Sequence, residues 1–147
     1  MRFEYFFGSQ SESYSFYRIP RQLITDPAFR RLSAGAKLLY GLLLDRMGLS
    51  MRNGWYDDEQ RVFIYYTLDE IMEDMNCGHD KATKLLRELD AETGIGLIER
   101  VKQGLGKPTR IYVMNAAFFR SSLKPVSFSP STIVLLFVWV ISFIRMM

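Results

Sequence analysis

Three basic side chains recur at every third position of one short segment. They are Lys81, Lys84 and Arg87, and a helix would gather them along one side. Cationic side chains grouped in this way neutralise phosphates, and lysine and arginine also donate hydrogen bonds to guanine edges. With their polar neighbours they make up the candidate contacts with DNA: His79, Asp80, Lys81, Thr83, Lys84 and Arg87.

A second basic segment lies between two short runs that are rich in valine, isoleucine and tyrosine. Residues 97–101 and 109–113 have the composition of strands, and residues 102–108 between them are polar, flexible and flanked by lysine. This pattern predicts a hairpin with a basic tip. Its candidate contacts with DNA are Lys102, Gln103, Lys107, Thr109 and Arg110.

Two short helices are predicted to position the first basic segment. Thr67 and Glu70 form the pattern of a capping box, which starts a helix. Asn76 suits the left-handed end of that helix, and Gly78 suits the N-cap of the next one. Each helix has an apolar stripe, formed by Leu68, Ile71, Met72 and Met75 in the first and by Ala82, Leu85, Leu86 and Leu89 in the second.

Two helices joined by a tight turn and followed by a basic hairpin predict a winged helix-turn-helix. The expected fold class is α+β, mostly helical, with a small antiparallel β-sheet and a wing. The usual partner of this fold is double-stranded DNA. The alternative is a protein-interaction module with its hydrophobic tail at a partner or membrane surface, because a fold does not fix a function.

The charge distribution favours DNA. Residues 1–99 hold 12 Lys and Arg against 16 Asp and Glu, whereas residues 100–147 hold seven basic residues and no acidic one. The positive part of the chain therefore begins at the predicted wing. A phosphate backbone attracts such local charge, and the acidic remainder can face elsewhere.

The sequence does not predict an enzyme, a metal site or a cofactor. His79 is the only histidine and Cys77 the only cysteine, so neither a histidine-based metal cluster nor an internal disulfide can form. Residues 104–108 resemble a glycine-rich phosphate loop but lack the helix that such a loop opens. The acidic residues 57–59 are expected to form a solvated turn. A reducing cytoplasm is the expected location.

Three regions are expected along the chain. Residues 1–17 form an aromatic N-terminal arm, which could pack on its own core or, by preference, on a second subunit. Residues 18–118 form the winged-helix domain. Residues 119–147 form a linker rich in serine and proline and a short hydrophobic tail.

The scaffold of the domain is predicted to be one long helix. Ser33 is expected to cap it, residues 34–47 to form it, and its apolar residues to bury it nearly all round. Residues 52–56 and 61–66 then look like a hairpin whose second strand joins the wing sheet.

Several separated motifs resemble the N-terminal domain of the RepA_N family of replication initiators, found on plasmids and integrative elements of Gram-positive bacteria. They are FYRIP (16–20), LSAGAKLLYGLLLDRM (32–47), RNGW (52–55), NCGH (76–79) and GIGLIERVKQG (94–104). The resemblance covers about residues 14–115. It implies a winged helix that binds repeated origin sequences, usually as a homodimer, with residues 79–87 in the major groove and residues 102–110 on the backbone or minor groove.

The C-terminal part departs from this pattern. Family members continue into a second domain thought to recruit host replication proteins, whereas this chain has the apolar run 133–144. As a helix, that run would span about 18 Å, against a hydrocarbon core of about 30 Å, so crossing a membrane is not expected. A frameshifted or truncated end, an element docking on a partner copy and a weak membrane contact remain open, in that order of preference.

Overall fold

The computed structural model describes residues 1–117 together with Ile141 and Arg145. The chain divides into one compact unit at Met1–Ala117 and a second at Phe118–Met147. Nearly all of the predicted linker and hydrophobic tail therefore lies outside the described residues. Within the described part of the chain, no helix is long and apolar enough to span a membrane.

Helices are the main regular elements of the first unit, and one hairpin follows them. A 3₁₀ turn at Gln10–Ser13 precedes helix α1, and a second one at Pro27–Phe29 follows it. In chain order the remaining elements are α1 (Arg21–Thr25), α2 (Ala34–Arg52), α3 (Leu68–Asp74), α4 (His79–Leu89), β1 (Ile98–Val101) and β2 (Arg110–Val113). This is the α+β winged helix-turn-helix that the sequence predicts.

The predicted helix ends are confirmed by their hydrogen bonds. Ser33 accepts a hydrogen bond from the amide of Ala36 at the start of α2. Thr67 and Glu70 form both bonds of the capping box at the start of α3. Asn76 has a φ of 48°, in the left-handed region, and Gly78 is the N-cap of α4. The residues at these positions therefore set the helix ends locally.

The core lies where α2, α3 and α4 meet the hairpin. The apolar stripe of α4 is buried, as is Ile71 of α3, and α4 packs against both α2 and α3. Tyr40 of α2 is also buried, and its hydroxyl donates a hydrogen bond to the carbonyl oxygen of Met114 at 2.6 Å. This bond ties the scaffold helix to the chain that leaves β2.

Helix α2 differs from its prediction in length and in burial. It continues five residues beyond Met47, to Arg52. Leu38 is 50% exposed and Leu49 is also exposed, so the helix is not buried all round. This helix has more apolar residues than its packed face can bury. The sequence pattern alone does not show which of them face solvent.

The sheet is a two-stranded antiparallel hairpin with one isolated bridge beside each strand. Ile98 pairs with Val113 and Val101 with Arg110. Ile64 exchanges both backbone hydrogen bonds with Ile111 at 2.9 Å, so the segment before α3 joins the wing sheet as predicted. The first strand of the hairpin predicted at residues 52–56 is wrong, because Arg52 ends α2 and only Tyr56 makes a bridge, with Val62.

The acidic turn is solvated at Asp58 and Glu59, as expected, but not at Asp57. The side chain of Asp57 is only 7% exposed. Its carboxylate accepts hydrogen bonds from the amides of Glu59 and Arg61, from the Arg61 guanidinium and from the Tyr112 hydroxyl. Its charge therefore organises the turn rather than facing water. Among the described residues, no group of acidic, histidine and cysteine side chains could hold a metal ion.

The N-terminal arm leaves its aromatic side chains at the surface. Residues 14–20 are extended and form no strand, and Tyr14 makes an edge contact with Phe6 of the same arm. The exposed aromatic residues are Phe3, Tyr5, Phe6, Phe7, Tyr14, Phe16 and Tyr17. The arm therefore does not bury these rings in its own core. Its packing on a second subunit remains a prediction.

Candidate nucleic-acid interface

The basic face of α4 points to solvent. His79, Lys81, Lys84 and Arg87 are exposed, while the opposite stripe of the same helix is buried in the core. Lysine and arginine side chains on such a helix can reach both phosphates and base edges. The structure therefore brings the predicted basic residues together on one free surface.

The acidic and hydroxyl residues of α4 have different roles. Asp80 is exposed beside His79, with the carboxylate 3.5 Å from the imidazole Nδ1. Thr83 is half-buried, and its buried hydroxyl oxygen has no hydrogen-bond partner among the residues that the structure describes. In this conformation that hydroxyl cannot reach a phosphate, so the expected contact of Thr83 with DNA would need a change in its side chain.

Two contacts hold α4 against the start of the scaffold helix. The Ser33 hydroxyl donates a hydrogen bond to the Glu88 carboxylate. A Cβ atom at Gly35 would lie 2.9 Å from a methyl group of Leu85, so the absence of a side chain there allows the two helices to approach closely. The orientation of the basic face is thus fixed from its buried side.

The loop between α4 and β1 connects the helix to the wing. The buried carboxylate of Asp90 pairs with the guanidinium of Arg100 on β1 and accepts a hydrogen bond from the amide of Glu92. Burial alone would raise the pKa of Asp90, but the hydrogen bonds from Glu92 and Arg100 keep that pKa below its ordinary value. Arg100 is therefore used for structure, although it begins the basic part of the chain.

Some polar residues of the wing face solvent, and others support the hairpin. Lys102 and Lys107 are exposed on either side of the tip. Gln103 instead donates hydrogen bonds from its amide nitrogen to the carbonyl oxygen of Pro108, at 2.7 Å, and to the Tyr65 hydroxyl, at 3.3 Å. The two lysines can meet an anionic partner, whereas Gln103 braces the hairpin from inside.

The base of the wing is held by aromatic residues. The guanidinium of Arg110 lies 4.4 Å from the ring centre of Phe63, in a cation–π contact. Thr109, like Arg110, is half-buried. The structure therefore places these two residues at the base of the wing, where they are less exposed than Lys102 and Lys107. Their contact with DNA remains a prediction.

One exposed residue of the wing was not among the sequence candidates. Leu105 stands at the tip between Gly104 and Gly106, and its side chain is fully exposed. The residues predicted to contact DNA are all polar or charged. The two flanking glycines and the polar segment around them are the features of the sequence that indicate an exposed leucine here.

Comparison with known proteins identifies the family. Residues 15–124 match RepA_N, described as the N-terminus of replication initiator protein A (RepA). The chain belongs to the RepA_N family. The match covers the whole winged helix, including both basic segments.

Solved structures similar to this RepA_N chain agree with the match. One described as a Rep–DNA complex is 32% identical with a TM-score of 0.62, over 76% of this chain and 84% of that one. Another, described as the N-terminal domain of a DNA-binding protein, is 29% identical with a TM-score of 0.62, over 92% and 93%. A third, described as an MDR initiator, is 29% identical with a TM-score of 0.60, over 80% and 90%.

A curated relative is much longer than this chain. It is a 41 kDa protein of Lactobacillus helveticus, 28% identical over 117 residues. The matched region is 76% of this chain but 32% of that protein, so this RepA_N chain spans about a third of the relative's length. The similarity does not extend to the rest of the relative.

Proposed function

We propose that this RepA_N chain binds double-stranded DNA at the repeats of a replication origin on a plasmid or related mobile element. The observation that supports this proposal most strongly is the similarity to the Rep protein in the Rep–DNA complex, at 32% identity over 76% of this chain. The exposed basic face of α4 supports the same function. In this proposal the chain acts in the cytoplasm and performs no catalytic step.

The two basic segments have separate tasks in this proposal. Helix α4 enters the major groove, where Lys84 and Arg87 donate hydrogen bonds to base edges. Lys102 and Lys107 of the wing neutralise phosphates along the backbone and beside the minor groove. The first set supplies sequence preference, and the second supplies affinity that falls as salt is raised.

Replication initiation is the larger activity of the family, and our proposal for it rests on fewer residues of this chain. Repeated origin sequences suit a homodimer, because two copies of one domain then meet two copies of one site. The exposed aromatic arm is the segment we expect at that contact. Initiation itself, and the recruitment of host replication proteins, would belong to the complete initiator.

Fluorescence anisotropy of labelled duplexes tests the proposal. One duplex carries a repeat from the DNA in which the gene lies, and the other carries the same bases in scrambled order. We expect tighter binding to the repeat, with an affinity that falls steeply across a salt series. Negligible binding to both duplexes even at low salt would contradict the proposal and favour a winged helix that docks protein.

A further inference from the structure

The tip of the wing presents one apolar side chain to solvent. Leu105 has a relative exposure of 106%, which means that it makes almost no contact with the rest of the protein. It stands between Gly104, with a φ of +116°, and Gly106, with a φ of +75°. These conformations favour glycine, and together they turn the chain so that the leucine projects outward.

The turn that carries Leu105 is held by hydrogen bonds. The amide of Lys107 donates to the carbonyl oxygen of Gly104 at 3.3 Å. Just below, Gln103 donates to Pro108 across the hairpin at 2.7 Å. The leucine is therefore presented on a braced tip, and its position does not depend on side-chain packing around it.

The surroundings of Leu105 suit an anionic partner. Lys102 and Lys107 are exposed on its two sides, and the sequence contains no acidic residue after Glu99. A purely apolar protein groove would have to desolvate both lysines. A DNA minor groove instead offers phosphates to the lysines and, where a base step opens, apolar base faces to the leucine.

We propose that Leu105 enters the minor groove of bound DNA as a wedge, partly unstacks one base step and kinks the duplex. The inference rests on the proposed DNA binding. It adds the residue that enters the minor groove and the way in which that residue distorts the duplex. Apolar wedges of this kind bend DNA toward the major groove. Pyrimidine–purine steps unstack most readily, so the wedge would favour such a step under the wing without a base-specific hydrogen bond.

The test compares Leu105→Ala with Ile24→Ala. Both remove an exposed apolar side chain, since Ile24 is 63% exposed on α1, and the structure predicts that both variants fold. Each is bound to the repeat and scrambled duplexes. Energy transfer between dyes at the duplex ends reports the bend, and 2-aminopurine placed at each adenine in turn reports unstacking.

We expect Leu105→Ala to weaken binding to the repeat by about tenfold, because burial of the larger side chain is lost. Its salt dependence should stay that of the wild type, while the bend and the 2-aminopurine signal fall. Leu105→Lys should restore affinity through its charge but not the bend. Ile24→Ala should match the wild type in every measurement.

Two results would overturn the inference in different ways. If the wild type prefers the repeat and Leu105→Ala bends and unstacks it equally, the wedge is wrong and the DNA-binding function stands. If the wild type binds neither duplex, the DNA-binding function is wrong and the wedge fails with it.

Discussion

The hydroxyl of Tyr112 on β2 donates a hydrogen bond to the carboxylate of Asp57 at 3.0 Å. Asp57 lies in the turn before the segment that joins the wing sheet at Ile64. The same carboxylate accepts from the amide and the guanidinium of Arg61. One buried charge therefore fastens β2 of the wing to the turn that follows the scaffold helix.

This arrangement predicts a loss of stability in acid. Burial alone would raise the pKa of Asp57, but hydrogen bonds from Arg61, Tyr112 and Glu59 lower that pKa from 3.8 to about 2. Because the pKa is lower in the folded state, the contribution is present above pH 3.8 and is lost as the pH falls toward 2. Urea unfolding of the wild type across this range should show the decline.

Two variants separate this effect from general acid unfolding. Asp57→Asn should be less stable than the wild type at neutral pH, and the difference should shrink as the pH falls toward 2. Asp58→Asn, at the exposed neighbouring position, should leave the pH profile unchanged. A constant difference between Asp57→Asn and the wild type at all pH values would contradict the assigned role of the charge.

Gly94 is predicted to be intolerant of any side chain. A Cβ atom there would lie 2.1 Å from the carbonyl oxygen of Glu88 and 2.3 Å from that of Arg87. Gly94→Ala should therefore displace the end of α4 and cost more than about 2 kcal/mol of unfolding free energy, the range of severe backbone and packing changes. Thermal or urea unfolding measures the loss.

Gly48 provides the matched control for Gly94. It lies within α2, and a Cβ atom there would meet no atom of the described part of the chain within 4 Å. Gly48→Ala should stabilise the protein by up to about 1 kcal/mol, because alanine favours the helix. If both substitutions changed stability equally, close packing around the loop between α4 and β1 would not be the reason for the glycine.

The wing lysines should act through charge alone. Lys107→Ala should weaken binding to the repeat and scrambled duplexes by the same factor. It should also reduce the slope of log affinity against log salt by about one. Anisotropy across a salt series measures both. An unchanged slope, or a loss confined to the repeat, would show that Lys107 does not act as a general phosphate contact.

Local chemistry made much of this fold predictable from the sequence. Three features depend only on residues nearby in the sequence. They are the hydroxyl of Thr67, the left-handed conformation of Asn76 and the apolar stripe of α4. They fix the helix-turn-helix without knowledge of the remaining chain. The exposed positions of Lys81, Lys84 and Arg87 follow from that stripe.

Features that depend on distant partners were not predictable. The burial of Asp57 depends on Tyr112, 55 residues later in the chain. The supporting role of Gln103 depends on its hydrogen bond with Tyr65. The exposure of Leu38 depends on how many neighbours cover α2. Hydrogen bonds between distant residues and the extent of packing appear only once the fold brings those residues together.

The most direct test of sequence reading by α4 is the specificity ratio of Lys84→Ala, that is, its affinity for the repeat divided by its affinity for the scrambled duplex. Arg21→Ala is the control, because it removes one exposed positive charge from α1. We expect Lys84→Ala to lose about 1–3 kcal/mol on the repeat and much less on the scrambled duplex, so the ratio falls. Arg21→Ala should leave it unchanged. Equal losses on both duplexes with Lys84→Ala would contradict base reading by this helix.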